Sequence, residues 1–193
     1  MSAITFDNTD ILPLSSFIFP IAMLLFSKSF SAIISAMGAN NPYTSLFSSP
    51  YRLSIDKILF PIGQDFFNSD TTTNTTTRGT ILDSDTRWAK MYQKGVELLA
   101  WSIEQLRNVA PVHVLHIPGN HDKMLSYCAV MTMQSHFRNA DDVYVDVSPK
   151  PRMYVQYYDN LIGYSHGETD KKRIKTLMQI EAPKEWGNTK FRE

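Results

Sequence analysis

The sequence has a single cysteine, Cys128, among its 193 residues. One thiol excludes an intrachain disulfide, and chains without disulfides are the rule in reducing compartments. We therefore expect a cytoplasmic location. Cys128 falls within an apolar helical pattern, so we interpret it as a core residue rather than as a reactive thiol.

The sequence also lacks a net charge, because 19 basic residues balance 19 acidic ones. A balanced charge gives no electrostatic argument for a nucleic-acid scaffold or for attraction to an acidic membrane surface. An enzyme that acts on nucleic acid can still use a local basic patch. One such cluster is Lys171, Lys172, Arg173 and Lys175, for which a solvated helix face is the more ordinary interpretation.

No clear membrane helix or signal peptide is present. A membrane helix needs roughly 20 predominantly apolar residues. The apolar segment Ile11–Met37 contains two prolines and Lys28. A signal peptide would carry positive charge before its apolar stretch, whereas Asp7 and Asp10 precede this one. We expect no stable membrane association; the alternative is a membrane-associated protein anchored through Ile11–Met37.

Residues 1–50 differ in composition from the rest of the chain. They are rich in apolar residues and serine, and the polar, turn-rich stretch Asn40–Pro50 marks a boundary. One interpretation is that this segment is not native to the domain, as in a rearranged, frameshifted or mis-started gene. We predict two parts: an atypical segment over residues 1–50 and a partial domain over residues 51–193.

Two compact apolar runs predict buried strands, at Lys57–Ile62 and from Val112 onward. Between them, apolar residues at three-four spacing predict a helix over Asp83–Val109. The capping candidates at its start are Asp83, Ser84 and Asp85. A strand, a helix and a strand form a β-α-β unit with parallel strands. The polar turns that follow the two strands are therefore expected at the same edge of the sheet.

The remaining pattern predicts further elements. The predicted elements are an exposed Thr-rich loop over Asn68–Thr80, a second helix over Lys123–Phe137, a strand over Val143–Val147, a hairpin of Met153–Tyr158 and Leu161–Tyr164, and a third helix over Asp170–Ile180. The inward-facing candidates of the second helix are Leu125, Cys128, Met131 and Met133. Together with the β-α-β unit, these elements predict an α/β fold.

Polar side chains follow three of the predicted strands directly. Asp65 follows the first strand, Asn120 follows Pro118-Gly119, and His166 follows the second arm of the hairpin. Residues just past the carboxyl ends of strands line the usual ligand crevice of an open α/β sheet. A carboxylate, an amide oxygen and an imidazole form a reasonable ligand set for Mn, Fe or Zn. Each residue alone has an ordinary structural explanation as a turn residue.

The contiguous motif Gly119-Asn120-His121-Asp122 resembles the central motif of the calcineurin-like metallophosphoesterases. The polar insert Asn68–Asp85 and the end near Trp186-Gly-Asn-Thr-Lys resemble phage and bacterial members of this family. The resemblance implies a two-sheet sandwich flanked by helices. It also implies that Asp65 bridges two metals, that Asn120 and His166 hold the second metal, and that His121 stabilises or protonates the leaving oxygen. Asp122 and Glu168 would orient ligands, although a solvated turn position also explains Glu168.

The activity that the resemblance implies is metal-dependent hydrolysis of a phosphoester, as in a phosphodiesterase, phosphatase or nuclease. Two divalent ions about 3.5–4 Å apart polarise a phosphoryl oxygen and lower the pKa of a bridging water. An imidazole with a pKa of about 6.5 can assist a departing alkoxide near neutral pH. The partner expected for this chain is therefore a phosphoester substrate, with nucleic acid as one option.

Two motifs of the resembled family are missing. The family opens with Asp-x-His and closes with Gly-His-x-His, but this sequence has no histidine before His113 or after His166. In addition, Gln64 stands between Gly63 and Asp65, where the family has Gly-Asp. The resemblance covers about Ile55–Glu193, the middle of a domain. We expect an incomplete fold that binds at most one divalent metal and hydrolyses phosphoesters poorly; the alternative is an inactive phosphoesterase fragment.

Overall fold

The computed structural model describes residues 55–83, 87–168, 170 and 172–193. The strands of this part are β1 (Ile58–Gly63), β2 (Val112–Ile117), β3 (Val143–Asp146), β4 (Arg152–Tyr157), β5 (Asn160–Ser165) and β6 (Phe191–Arg192). Its helices are α1 (Trp88–Arg107), α2 (Lys123–His136), α3 (Ile174–Glu181) and α4 (Pro183–Asn188). The predictions for residues 1–50, for Ser84 and Asp85 as caps and for Lys171 lie outside the described residues.

The first sheet is parallel and has the strand order β1-β2-β3. Ile58 pairs with Val112 and Gly63 pairs with Ile117, so β1 and β2 end level with each other. Helix α1 connects them, which confirms the predicted β-α-β unit. Five of the six residues of β2 are buried, because a parallel strand in the middle of a sheet is covered on both faces.

The second sheet is built on the hairpin of β4 and β5, which pair antiparallel from Arg152–Ser165 to Tyr157–Asn160. The turn lies at Tyr158 and Asp159, close to the predicted position. The short strand β6 adds to β5 in parallel, with Asn160 opposite Phe191. Strand β6 was not predicted, since two residues are too few to show any periodicity.

The two sheets share a core. Leu59, Leu115 and Ile117 of the first sheet pack with Met153 of the second, and all four are buried. Side chains of β2 alternate between faces, so Leu115 and Ile117 point to the second sheet while Val114 points away from it. The α/β fold with two sheets and helices, predicted from the sequence, is confirmed.

Helix α1 is shorter than predicted. It begins at Trp88, and its N-cap residue is Arg87, which makes no capping side-chain hydrogen bond. The prediction of Asp83 as a cap was therefore wrong, because the helix starts five residues later. The predicted apolar stripe is present, with Leu99 and Ile103 buried. Similarly, α3 begins at Ile174 rather than at Asp170.

Helix α2 buries two of the four residues that were predicted to face inward, Leu125 and Met133. Its buried residues are Leu125, Ser126, Ala129, Val130 and Met133. Two predicted inward residues, Cys128 and Met131, are exposed, so the core role of Cys128 was wrong. At about 100° per residue, both lie on the far side of the helix from the buried face. The small side chains of Ser126 and Ala129 face the protein instead.

The Thr-rich stretch over residues 68–80 was predicted to be an exposed loop, and this is wrong in part. Ser69, Asp70 and Thr76 are buried. One carboxylate oxygen of Asp70 accepts hydrogen bonds from the backbone amides of Met124 (2.8 Å) and Leu125 (2.9 Å). The first amides of a helix have no partner within the helix, so a carboxylate from elsewhere in the chain can satisfy them. The loop is thereby fastened to the first turn of α2.

Within the described part of the chain, no helix combines the length and the apolar character that crossing a membrane requires.

Replacement of Ile103 by alanine tests the packing of α1. Ile103 is fully buried, so Ile103→Ala should lower the free energy of unfolding by about 2–5 kcal/mol. Ile180→Ala is the matched control, because Ile180 lies on α3 with 67% of its surface exposed, and a change within about 0.5 kcal/mol is expected. Urea denaturation followed by circular dichroism measures both. Equal effects of the two substitutions would contradict the assigned core.

Candidate metal site

The site begins with a strained turn at the end of β1. Gly63, Gln64 and Asp65 have φ angles of 114°, 58° and 65°, in the left-handed region. A side chain at Gly63 would collide with the carbonyl oxygen of Ile117 on the neighbouring strand, so only glycine fits there. Non-glycine residues with positive φ are uncommon and cluster at functional sites. The turn directs the Asp65 carboxylate toward the end of β2.

The end of β2 approaches this carboxylate closely. A Cβ atom on Gly119 would collide with Oδ1 and the backbone nitrogen of Asp65, and it would lie 2.7 Å from Oδ1 of Asp122. Gly119 is therefore required by close packing, although its own φ is ordinary. Pro118 and Gly119 follow the last residue of β2. The absent side chain of Gly119 leaves the space in which the turn after β1 meets the turn after β2.

The three predicted ligands lie together. The carboxylate Oδ2 of Asp65 is 3.3 Å from Nε2 of His166, and Oδ1 of Asn120 is 2.7 Å from the same nitrogen. The side chains of His166 and Asp65 are 24% and 26% exposed, so the group lies at the surface of a crevice and is open to water. Asp65 comes from the β1 turn, Asn120 from the β2 turn and His166 from the end of β5.

The donor set fits one divalent cation. A carboxylate oxygen, an amide oxygen and an imidazole nitrogen turn toward one another, and adjacent ligands of an octahedral cation with bonds of about 2.1 Å lie about 3.0 Å apart. The observed separations of 2.7 and 3.3 Å bracket this value. Among the described residues, no three His, Cys, Asp or Glu side chains gather as a metal-binding group.

His121 is fixed by two hydrogen bonds. Its backbone amide donates to Oδ1 of Asp65 at 2.8 Å, and its ring Nδ1 lies 3.2 Å from the carbonyl oxygen of Asn68. Since a carbonyl oxygen only accepts, Nδ1 carries the proton in this bond, and in the neutral ring Nε2 is then the basic nitrogen. The predicted role of His121 at the leaving oxygen stays a prediction.

Asp122 is fully buried and joins the two turns. Its Oδ2 accepts a hydrogen bond from the backbone amide of Phe67 at 2.9 Å. Burial raises the pKa of this carboxyl to about 7, and the charges of Asp65 and Asp70 contribute in the same direction. Its Oδ1 has no hydrogen-bond partner among the described residues. Asp122 therefore holds the segment after Asp65 against β2. Its predicted support of a ligand stays a prediction.

Glu168, the other residue predicted to orient a ligand, lies two positions after His166. Its carboxylate forms an ion pair with Arg78 at 2.9 Å, and both side chains are substantially exposed. This pair links the loop after β1 with the loop after β5. Support of a ligand by Glu168 stays a prediction.

Two histidines on β2, His113 and His116, pack against other parts of the fold. His116 is buried, and its ring lies between the carbonyl oxygen of Ser148 (3.0 Å) and the hydroxyl of Ser126 (3.2 Å). His113 is half-buried and packs edge to face on Tyr144. Burial lowers the pKa of both rings.

Three residues around the site were not predicted from the sequence: Asn68, Asp70 and Arg78. They lie in or beside the polar Thr-rich stretch, which has no apolar periodicity to show that part of it is buried. The only available signal was Asp70 itself, an acidic residue within a run of threonines. Its partners, Met124 and Leu125, are more than 50 positions away, so spacing could not reveal the contact.

No protein-family model, no curated protein and no solved structure matches this chain.

Replacement of Gln64 by glycine tests the strain in the turn. Gln64→Gly should leave the free energy of unfolding unchanged or raise it by up to about 1 kcal/mol, because glycine adopts positive φ without steric cost. Gln105→Gly, at an exposed position of α1, is the control and should lower it by about 0.5–1 kcal/mol. Chemical denaturation of both variants gives the comparison. An equal loss of stability in both would contradict the left-handed turn.

The contribution of His116 to stability should fall as the pH falls below about 6.5. Burial lowers the pKa of folded His116, so the unfolded chain, with a pKa of about 6.5, binds more protons in that range. Asp122 acts in the opposite direction, because its raised pKa of about 7 lets the folded chain bind a proton that the unfolded chain does not. The free energy of unfolding of the wild type minus that of His116→Gln, measured between pH 7.5 and 5.5, should therefore decrease toward the acid end, since both proteins share the contribution of Asp122. A difference that does not change with pH would exclude this assignment.

Proposed function

We propose that Asp65, Asn120 and His166 hold one divalent cation and that the site acts on phosphoesters, as in the calcineurin-like metallophosphoesterases that the sequence resembles. The observation that carries this proposal is the convergence of three side chains from separate loops, with both oxygens within 3.3 Å of one imidazole nitrogen. Mn, Fe and Zn are the cations that suit such a mixed oxygen and nitrogen set.

A bound cation would supply Lewis-acid polarisation of a phosphoryl oxygen. The chain's own residues supply orientation. Asp65 is held through Oδ1 by the amide of His121, which leaves Oδ2 directed at the site. His121 is held in turn by Asn68, so its basic Nε2 is available to exchange a proton with a water or with a leaving group. The strained turn keeps the carboxylate in place before any ligand arrives.

The activity is expected to be weak. The resembled family uses two cations, whereas the three proposed ligands would hold one. A single cation polarises the phosphoryl group but gives no matched stabilisation of both the attacking and the leaving oxygens. The substrate proposed is a phosphoester, either a monoester or a diester, and a cytoplasmic location is proposed from the single cysteine.

A second candidate is an inactive phosphoesterase fragment, and one observation favours it. Nε2 of His166 lies 2.7 Å from Oδ1 of Asn120, which is the length of a good hydrogen bond. With a proton on Nε2, the three side chains satisfy one another without a cation. Under this alternative the cluster would only fasten the end of β5 to the end of β2.

Titration of the purified chain with Mn²⁺ by calorimetry distinguishes the candidates. One site per chain is expected, and His166→Gln should weaken it by more than about tenfold, because even outer partners of metal ligands contribute roughly 10–100-fold. His136→Gln is the matched control, since His136 is exposed at the end of α2, and its binding should equal that of the wild type.

Hydrolysis of bis(p-nitrophenyl) phosphate completes the test. Slow, manganese-dependent release of nitrophenol is expected from the wild type and should be absent in Asp65→Asn. Binding of Mn²⁺ without hydrolysis would support the inactive fragment. Absence of binding, or two tight sites per chain, would contradict the proposed single-cation site.

A further inference from the structure

A cavity of about 470 Å³ opens beside the candidate metal site. His166 and Gly119 line it, so the crevice that holds the three proposed ligands continues into this space. Pockets that take small molecules have volumes of about 300–1,000 Å³. The cavity is therefore large enough for the organic part of a phosphoester whose phosphate lies at His166.

One wall of the cavity presents a ring and rigid apolar groups. Tyr127 of α2 lines it together with Pro149 and Pro151 of the loop between β3 and β4. The Tyr127 ring packs edge to face on His116, with centroids 5.6 Å apart and planes at 64°. His116 is itself fixed by hydrogen bonds on both nitrogens. A tyrosine held in this way offers a stable surface on which a planar ring can stack.

The polar part of the cavity favours an anion near its opening. Lys123 lines it with an exposed side chain, and none of the ion pairs among the described residues involves Lys123. The carboxylates that also line the cavity are matched by cations, since Glu168 pairs with Arg78 at 2.9 Å and Asp170 pairs with Arg152 at 3.0 Å. Of the two described Lys and Arg side chains that line the cavity, Arg78 is paired with Glu168, whereas the charge of Lys123 is matched by no ion pair among the described residues.

The backbone amides at the start of α2 are not available to bind an anion. The amides of Met124 and Leu125, which would otherwise attract an anion to the start of the helix, donate to Asp70. Attraction of a phosphate to this end of the cavity therefore depends on the Lys123 side chain.

We propose that the cavity binds the ring of a phosphoester that carries a planar aromatic group, a nucleobase or a simple aryl group. The ring stacks on Tyr127 between the prolines and the helix, and the phosphate lies toward Lys123 and His166. This assignment of the substrate class rests on the proposed function for its chemistry. Binding in the cavity requires no cation and is measurable separately.

The experiment compares ligands with and without a ring. Adenosine 5′-monophosphate, phenyl phosphate and ribose 5-phosphate are titrated in the presence of a chelator against the full chain, with binding followed by calorimetry. The two ring-bearing ligands should bind at least about tenfold more tightly than ribose 5-phosphate, since stacking of a base on an aromatic side chain contributes roughly that much. The tighter of the two shows whether the ring is a nucleobase or a simple aryl group.

Variants assign the effect to the cavity. Tyr127→Leu keeps an apolar side chain on α2 but removes the ring, so the variant should bind ring-bearing ligands and ribose 5-phosphate about equally. Tyr144→Leu, at an exposed tyrosine of β3, is the control and should keep the preference of the wild type. Lys123→Gln should weaken all three ligands, and Lys90→Gln on the exposed part of α1 should weaken none. Circular dichroism establishes that each variant is folded.

The outcomes separate the two proposals. Equal binding of all three ligands by the wild type, or a preference that persists in folded Tyr127→Leu, would overturn the ring site. Ring-dependent binding in a chain that binds no Mn²⁺ would support the cavity and contradict the proposed function. Loss of the ring preference in Tyr127→Leu with unchanged Mn²⁺ binding would support both proposals.

Discussion

The carboxylate of Asp65 is the contact on which the candidate site depends. One of its oxygens accepts a hydrogen bond from the backbone amide of His121, and the other faces the ring of His166. It therefore connects the ends of β1, β2 and β5, which belong to two different sheets. Only a left-handed turn places this carboxylate there, and only a glycine at position 119 leaves room for it. The positive φ angles of the turn at Asp65 and the glycine at position 119 are thus both needed to place the Asp65 carboxylate at the end of β2.

Two further carboxylates fix the loops around Asp65. Asp122 accepts a hydrogen bond from the backbone amide of Phe67, and Asp70 accepts hydrogen bonds from the backbone amides at the start of α2. Loops that line a crevice have few ladder hydrogen bonds, so side-chain acceptors must satisfy their backbone amides. Burial raises the pKa of the Asp122 carboxyl to about 7, and the nearby charges of Asp65 and Asp70 act in the same direction.

The sequence predicts the parts of this structure that repeat a pattern and misses those that depend on one distant contact. Strands β1 and β2 and the helix between them follow from apolar periodicity, and the parallel pairing then brings Asp65 and Asn120 to one edge of the sheet. Asp70 and the exposed Cys128 were not predictable in this way. The burial of Asp70 depends on amides some 55 residues away, and the inward face of α2 is set by what Ser126 and Ala129 pack against.

The same three side chains can either bind a cation or form hydrogen bonds with one another. Which of the two arrangements forms depends on whether Nε2 of His166 carries a proton. In the 2.7 Å contact with Asn120 that nitrogen must be the donor, because an amide oxygen only accepts. A cation must take the place of this proton, since a ligating imidazole nitrogen has no hydrogen. Water can replace the broken hydrogen bond, because His166 and Asp65 are each about a quarter exposed. The same exposure limits affinity, since water also competes for the cation. A site built from these residues alone is therefore expected to bind its metal reversibly, in contrast to a buried structural metal site.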